Sequence, residues 1–312
     1  MDGALELTCM KVIRDVRKHR PLLNTAIKKY GHSVEHNLHH YLATEAPGSA
    51  LVAFSFPEGM YALGNLKNDV LGLFPDGILA PPERRFRILQ DILSYALVRN
   101  KMKKVTLEVS EPFRREIVSG LAASRRFRAC RANGILYWPV FRMELFDSRL
   151  KGRRWKKMRN IRNRFAKHHR IRTVDSKKVP KGKLLAVLRQ WERKRRHSDT
   201  VTREYYQNVI GSGFRGFRTA KTIYVDGEPC TITAGWNVQN GEKHYYSAIG
   251  ILNYRHKGLG EFANLMDLIL LKKKGYKLVD FGGSGYSLLN FKNKFRPQHM
   301  YKTYLFSIVR RK

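Results

Sequence analysis

The sequence predicts an α/β chain of the α+β kind, folded as two lobes that each pack helices on a mixed, largely antiparallel sheet. Three observations carry this expectation. At 312 residues the chain is long enough for two domains of ordinary size. Short strand-like runs punctuated by Asp-Gly and Asn-Gly turns alternate with amphipathic helical segments in both halves. A content of 43% hydrophobic and 11% aromatic residues belongs to a packed interior, not to a disordered basic tail.

In the first half the pattern gives helices over residues 11–30 and 36–42, then strands over 49–56, 60–63 and 70–73. Phe74-Pro75-Asp76-Gly77 reads as a loop, and Pro81-Pro82-Glu83 opens a helix to about residue 100 with Phe86, Leu89, Ile92, Leu93 and Leu97 on its buried face. A strand over 105–109, a helix over 111–120 and a hairpin over 127–145, turning at Ala132-Asn133-Gly134, complete it. In the second half a basic helix is followed by helices over 184–196 and 203–210. Strands at 217–225 and 230–238 then hinge on Asp226-Gly227, and Asn240-Gly241 leads into a strand over 243–250. An amphipathic helix over 258–274 ends at Gly275, a strand follows over 278–281, a helix over 288–295 stops at Pro297, and a last strand covers 301–309. No sequence-level repeat relates the halves.

Charge is the strongest compositional signal. Lys plus Arg number 61 against 25 Asp plus Glu, a net +36, far beyond what solubility needs, so the expected partner is a polyanion. Residues 1–150 hold 23 basic and 15 acidic side chains; residues 151–312 hold 38 and 10. Between Lys151 and Arg172 lie 11 basic residues and no acid, while Trp155, Met158, Ile161 and Phe165 recur at helical spacing. A packed helix with a cationic outer face results, and Arg153, Arg154, Lys156, Lys157, Arg159, Arg162, Arg164 and Lys167 are its candidate nucleic-acid contacts, with His168-His169 added to the same surface.

Cys9, Cys130 and Cys230 are odd in number and far apart, which suggests neither a disulfide framework nor a metal site, and a reducing, cytoplasmic setting is expected. No apolar run approaches the roughly 18 residues a membrane span needs. His32-Ser33-Val34-Glu35-His36 fits the inverted zincin pattern, with His40 further along, but no third ligand is identifiable and chance accounts for it; no metal is expected.

Two motifs bear chemistry. Arg255-His256-Lys257-Gly258-Leu259-Gly260 has the R-x-x-G-x-G form between a strand and a helix, where glycines admit a phosphate to backbone N–H groups and Arg255 and Lys257 add charge; Gly258 and Gly260 also suit a plain chain reversal. Asp280-Phe281-Gly282-Gly283-Ser284 ends a strand, and a short helix after it carries Phe291-Lys292-Asn293-Lys294-Phe295. Acyl transfer needs a group to orient or deprotonate the nucleophile and a donor facing the tetrahedral oxyanion. Asp280 suits the first role and Lys292 or Lys294 the second, and Tyr245, Tyr246 and Tyr286 are further candidate proton donors that equally suit core or rim aromatics. Turn capping by Asp280 and solvated lysines on a helix face are the plainer alternative.

With these motifs the chain resembles the Fem-type aminoacyltransferases and, more closely, the C-terminal catalytic region of phosphatidylglycerol lysyltransferases, which are tandem GNAT folds. Phe74-Pro75-Asp76-Gly77 with Ala80-Pro81-Pro82 looks like that family's Asp-Pro turn and following helix, and Lys156-Lys157-Met158-Arg159-Asn160-Ile161-Arg162-Asn163 looks like its basic inter-lobe helix, with Met158 where the family has leucine. The resemblance implies an N-terminal GNAT-like lobe over 1–148, a basic helical connector over 149–200 going with the second lobe, and a catalytic lobe over 201–312. It implies transfer of an aminoacyl group from aminoacyl-tRNA to an amine or hydroxyl acceptor, which the residues do not identify, with Lys292 foremost and no tightly bound cofactor. The glycine loop is closer to coenzyme A-using GNAT enzymes, so an acyl-CoA-dependent N-acyltransferase acting on RNA or an acidic acceptor is the alternative. A non-catalytic protein that binds RNA or a membrane on the same scaffold is the third. The expected partners are tRNA or other RNA and, at the membrane periphery, an anionic lipid surface.

Overall fold

A computed structural model describes residues 10–195 and 203–311 of the chain. They divide into two compact units, one formed by 1–136 with 302–312 and the other by 137–301. The C-terminal strand that sequence grouped with the second half thus belongs mostly to the first unit.

The first unit runs β1 (Lys11–Ile13), α1 (Arg20–Tyr30), α2 (Leu38–Ala43), β2 (Ala50–Phe56), β3 (Met60–Lys67), β4 (Val70–Leu79), α3 (Pro82–Leu93), β5 (Lys104–Ser110), α4 (Glu111–Ala122) and β6 (Phe127–Ala129). β7 (Gly134–Arg142) leads into the second unit, which continues with α5 (Lys156–His168), β8 (Ile171–Asp175), α6 (Lys181–Arg195), α7 (Arg203–Gly211), β9 (Thr219–Val225), β10 (Glu228–Pro229), β11 (Thr231–Asn237), β12 (His244–Leu252), α8 (Leu259–Lys273), β13 (Leu278–Asp280) and α9 (Tyr286–Asn293). β14 (His299–Arg310) carries the chain back to the first unit.

Each unit's sheet is antiparallel except for one pair. In the first unit the order is β1-β2-β3-β4-β5-β14, with β6 also on β14, and β4 pairs β5 in parallel from Val70 opposite Lys104. In the second the order is β7-β13-β12-β11-β9-β10, with β8 on β9, and β12 pairs β13 in parallel from His244 opposite Leu278. Parallel neighbours need a crossover, and α3 and α8 supply it. The antiparallel pair before each crossover carries a register shift, at Ala62/Gly64 and at Ala234/Gly235. Two units built on one plan are therefore evident in the pairing although the sequence shows no repeat.

The core explains the helices. Ile88, Leu89, Ile92 and Leu93 of α3 and Ile117 and Leu121 of α4 bury against Val52, Phe54, Leu71, Val105 and Leu107 of the first sheet. Trp155, Met158 and Phe165 face inward from the basic segment as the spacing predicted, and Trp155 and Met158 join Leu265 and Leu268 of α8 in one cluster.

Five sequence expectations change. Residues 11–13 form an edge strand on β2, since Pro21 places the first helical turn only at residue 20. Phe74-Pro75-Asp76-Gly77 lies inside β4 as an irregularity with Asp76 at φ +46°, not as a loop between elements. β6 and β7 do not form a hairpin; β6 pairs Ile308–Arg310 of β14 instead. The basic helix is shorter than its charge run, because Ile171–Asp175 turns into the edge strand β8. The zincin-like segment is not helical: Nδ1 of His36 accepts from the His32 N–H at 3.0 Å, Nε2 lies 3.1 Å from the Asp76 carbonyl, and α2 starts only at Leu38.

Candidate functional site

Asp280 closes β13, and no part of it reaches solvent. Its Oδ1 accepts the Gly282 N–H at 2.7 Å and its Oδ2 accepts the Tyr301 hydroxyl at 2.9 Å. Burial pushes its pKa up to about 6, and the Gly282 N–H, the Tyr301 hydroxyl and the Lys292 charge pull in the opposite direction. The turn that follows needs glycine at residue 282, at φ +77°, where a Cβ would come within 3.3 Å of the Tyr246 hydroxyl.

Lys292 reaches back from α9 to this turn. Its ammonium donates to the Phe281 carbonyl and to the Gly282 carbonyl, the latter at 2.9 Å. A flexible cation is thereby fixed at the strand end beside a buried carboxylate. Tyr246 of β12 and Tyr301 of β14 flank the same turn, and the Trp138 ring stacks on Tyr301 at 5.5 Å and 11°. Tyr245, one residue along the strand, shares its hydroxyl with Thr219, and Tyr286 stands 77% exposed at the start of α9.

Lys294 does not join Asp280. Its ammonium pairs with Glu261 at 2.8 Å and lies 5.1 Å above the Phe291 ring. There it lines a groove of about 1060 Å³ between α5 and the start of α8. Arg153, Arg154, Lys156, Lys157 and Arg164 line one side, and Lys257, Gly258, Lys294 and Arg296 the other. Glu261 is the acid among the lining residues, and Lys294 already neutralises it. The groove thus gathers most of the expected nucleic-acid contacts and part of the glycine loop into one cationic surface.

The remaining candidates are used differently. The Arg159 guanidinium turns back to the Leu150 carbonyl and to that of Gly152 at 3.3 Å, so it caps the segment entering α5. Arg162 donates to Asn163 at 3.1 Å, and Lys167 is exposed outside the groove. Arg255 is exposed and its backbone N–H donates to Asn253 at 3.2 Å.

Both loop glycines answer to packing. Gly258 caps α8 at φ +88°, where a Cβ would meet Ile161 of α5 at 3.2 Å; a Cβ on the buried Gly260 would lie 3.4 Å from Phe291. Gly258→Ala is therefore expected to lower stability by about 1–2 kcal/mol in urea unfolding, from left-handed strain and pressure on α5. A loss below a few tenths would show that the loop relaxes freely.

Sequence reasoning missed Tyr301 and Arg296. Tyr301 lies 21 residues beyond Asp280 in what reads as an ordinary terminal strand, and its only local signal is an aromatic at the strand's first residues. Arg296 follows the Phe-Lys pattern directly, and its charge just before Pro297 was a usable signal.

No protein-family model matches the sequence, and no curated protein matches it. Solved structures do. The C-terminal domain of a protein described as a lysylphosphatidylglycerol synthetase, from Agrobacterium fabrum, is 14% identical, with 93% of this chain and 91% of that one covered at a TM-score of 0.66. L-PGS from Bacillus licheniformis is 13% identical over 92% and 90% of the two chains, also at 0.66. A tandem GNAT protein from the clavulanic acid biosynthesis pathway is 12% identical over 96% and 98%, at 0.59. At such identities the likeness speaks for architecture, and with a bulged antiparallel pair followed by a crossover-linked parallel pair in each unit it establishes that this chain has the tandem-GNAT fold.

Proposed function

We propose that the chain is an acyltransferase that moves an aminoacyl group from aminoacyl-tRNA to an amine or hydroxyl acceptor, lipid, peptide or small molecule. The observation that carries the reading is the double use of one short helix: Lys292 of α9 is anchored at the Asp280 turn, and Lys294, its C-cap, lines the cationic groove. A phosphate backbone held in that groove would bring a chain end toward the buried carboxylate. The names of the lysylphosphatidylglycerol synthetase and L-PGS neighbours support the same reading.

In this reading the acceptor nitrogen or oxygen attacks the ester carbonyl of the donor, the new bond forms, and the bond to the ribose oxygen breaks. Tyr301 takes the nucleophile's proton as its own passes to Asp280, and the proton returns to the ribose oxygen as it leaves. Lys292 faces the oxyanion with a charge already fixed in place. The packing role of Gly258 and Gly260 removes the need to invoke an acyl-CoA pyrophosphate to explain the loop.

Parallel incubation of the purified chain with charged total tRNA and with labelled acetyl-CoA tests the proposal. Release of label from tRNA supports it. Consumption of acetyl-CoA instead moves the assignment to an acyl-CoA-dependent enzyme, and salt-sensitive RNA binding without turnover of either donor leaves a binding protein. A pH profile adds a second check. With Asp280 as the proton's destination, wild-type kcat/KM should fall as pH drops through about 6, and Tyr301→Phe, which removes the carrier, should lower the rate and lose that limb. A wild-type profile that stays flat through pH 6 would remove Asp280 from the proton route.

A further inference from the structure

Beside the glycine loop, three ligand-type side chains converge from separate parts of the second unit. His169 follows the last residue of α5, Asp226 sits in the turn between β9 and β10, and His256 lies in the loop before α8. Their ligand atoms all lie within 4.8 Å of one another. Nδ1 of His169 is 2.7 Å from Oδ2 of Asp226, and the His169 and His256 rings stand 4.8 Å apart at 77°.

Their surroundings hold them in place. The Arg170 N–H donates to the second Asp226 oxygen at 2.9 Å, and the Asp226 N–H donates to the Arg170 carbonyl at 2.9 Å. Phe165 packs against both imidazoles, 4.7 Å from His169 and 6.4 Å from His256. A ligating carboxylate oriented by a backbone donor, beside imidazoles steadied by an apolar ring, is how metal ligands are commonly supported. A His–Asp pair alone explains the 2.7 Å contact but not the second imidazole presented to it.

We propose that His169, Asp226 and His256 form a binding site for a divalent transition-metal ion, zinc above all, with one coordination position left to water. Two imidazoles and one carboxylate match zinc, which takes nitrogen at about 2.0–2.1 Å in a tetrahedron. Calcium and magnesium are poor matches, since they prefer all-oxygen shells and this set offers a single carboxylate among Arg170, Arg255 and Lys257. A tetrahedron of that size places ligand atoms about 3.3 Å apart. At 2.7 Å the His169 and Asp226 atoms stand closer than that and would part slightly on binding, while His256 supplies the closing movement. The ion would tie the end of α5 to the loop whose Lys257 and Gly258 line the groove.

The test uses the untagged full chain, stripped with chelator and titrated with zinc alone against a chromophoric competitor. Binding of one ion per chain is expected, and cobalt in its place should show the intense visible absorption of a four-coordinate ion. His256→Ala and Asp226→Asn should each weaken zinc by about tenfold or more, as loss of a ligand does. Asparagine tolerates the φ of +52° at residue 226, so that variant keeps the turn, and circular dichroism checks both folds. His168→Ala, one residue from the site, should leave the affinity unchanged. No stoichiometric zinc in the wild type, unaltered affinity in either ligand variant, or an equal loss in His168→Ala would overturn the assignment.

Discussion

Asp280→Asn is expected to cut aminoacyl transfer by about 10²–10⁴-fold, the range associated with a positioned acid or base, while RNA binding in the groove stays near wild type. Asparagine matches the volume and keeps one acceptor for the Gly282 N–H, so the change removes charge and proton capacity, not packing. Stability supplies an independent readout. The folded-state pKa of Asp280 is raised from 3.8 to about 6, so between those values the folded chain binds more protons than the unfolded one. Stability therefore falls as pH rises through that window, by about 3 kcal/mol on this residue's account. Asp280→Asn should remove this part of the slope, and its urea midpoint should gain on the wild type between pH 4 and 7. Lys292→Ala is expected to lower transfer by about 10²–10³-fold, the cost of one oxyanion-facing donor, and to destabilise by about 1–3 kcal/mol because the Phe281 and Gly282 carbonyls lose their donor. If both variants turned over at the wild-type rate, the catalytic assignment would be wrong; if both merely unfolded, the pH slope of Asp280→Asn would still test the buried charge.

What sequence could say about this site follows from how local each part is. Asp280, the glycines and Lys292 lie within 13 residues, and strand-turn-helix geometry joins them, so the motif and the structure agree on their neighbourhood. The apolar stripe of α5 was equally legible, because Trp155, Met158 and Phe165 bury at helical spacing regardless of what they pack against. Long-range pairing was not. Nothing near Phe127 says that it will sit opposite Arg310, and the bulged course of β4 through Pro75 reads as a loop because proline and glycine punctuate it. Tyr301 and the His169, Asp226 and His256 convergence failed for the same reason, since β14 and the β9–β10 turn bring distant residues in from the chain's own folding. Arg159 shows the opposite error: composition put it among phosphate contacts, but its guanidinium serves two backbone carbonyls.

That distinction decides which charges matter for RNA. Lys156, Lys157, Arg164 and Lys257 line the groove, whereas Arg162 and Lys167 lie outside it on the same helix. Each phosphate contact contributes about 0.7–0.9 to the slope of log affinity against log salt, so replacing the four groove residues with Ala should flatten the slope by about 3. Carried from molar salt to about 0.15 M, a slope change of that size corresponds to roughly 10²-fold weaker binding. Arg162→Ala with Lys167→Ala should cost far less, because exposed cations outside a concave surface act only through screened, long-range attraction. Fluorescence anisotropy of a labelled tRNA, recorded at several salt concentrations for both sets, separates the two cases. Equal losses would mean that net charge alone attracts the RNA, and the groove would then have no claim as its seat. A steep loss confined to the groove set, with the slope reduced by about as many contacts as were removed, would tie RNA binding to the groove that Lys294, the C-cap of the helix carrying Lys292, also lines.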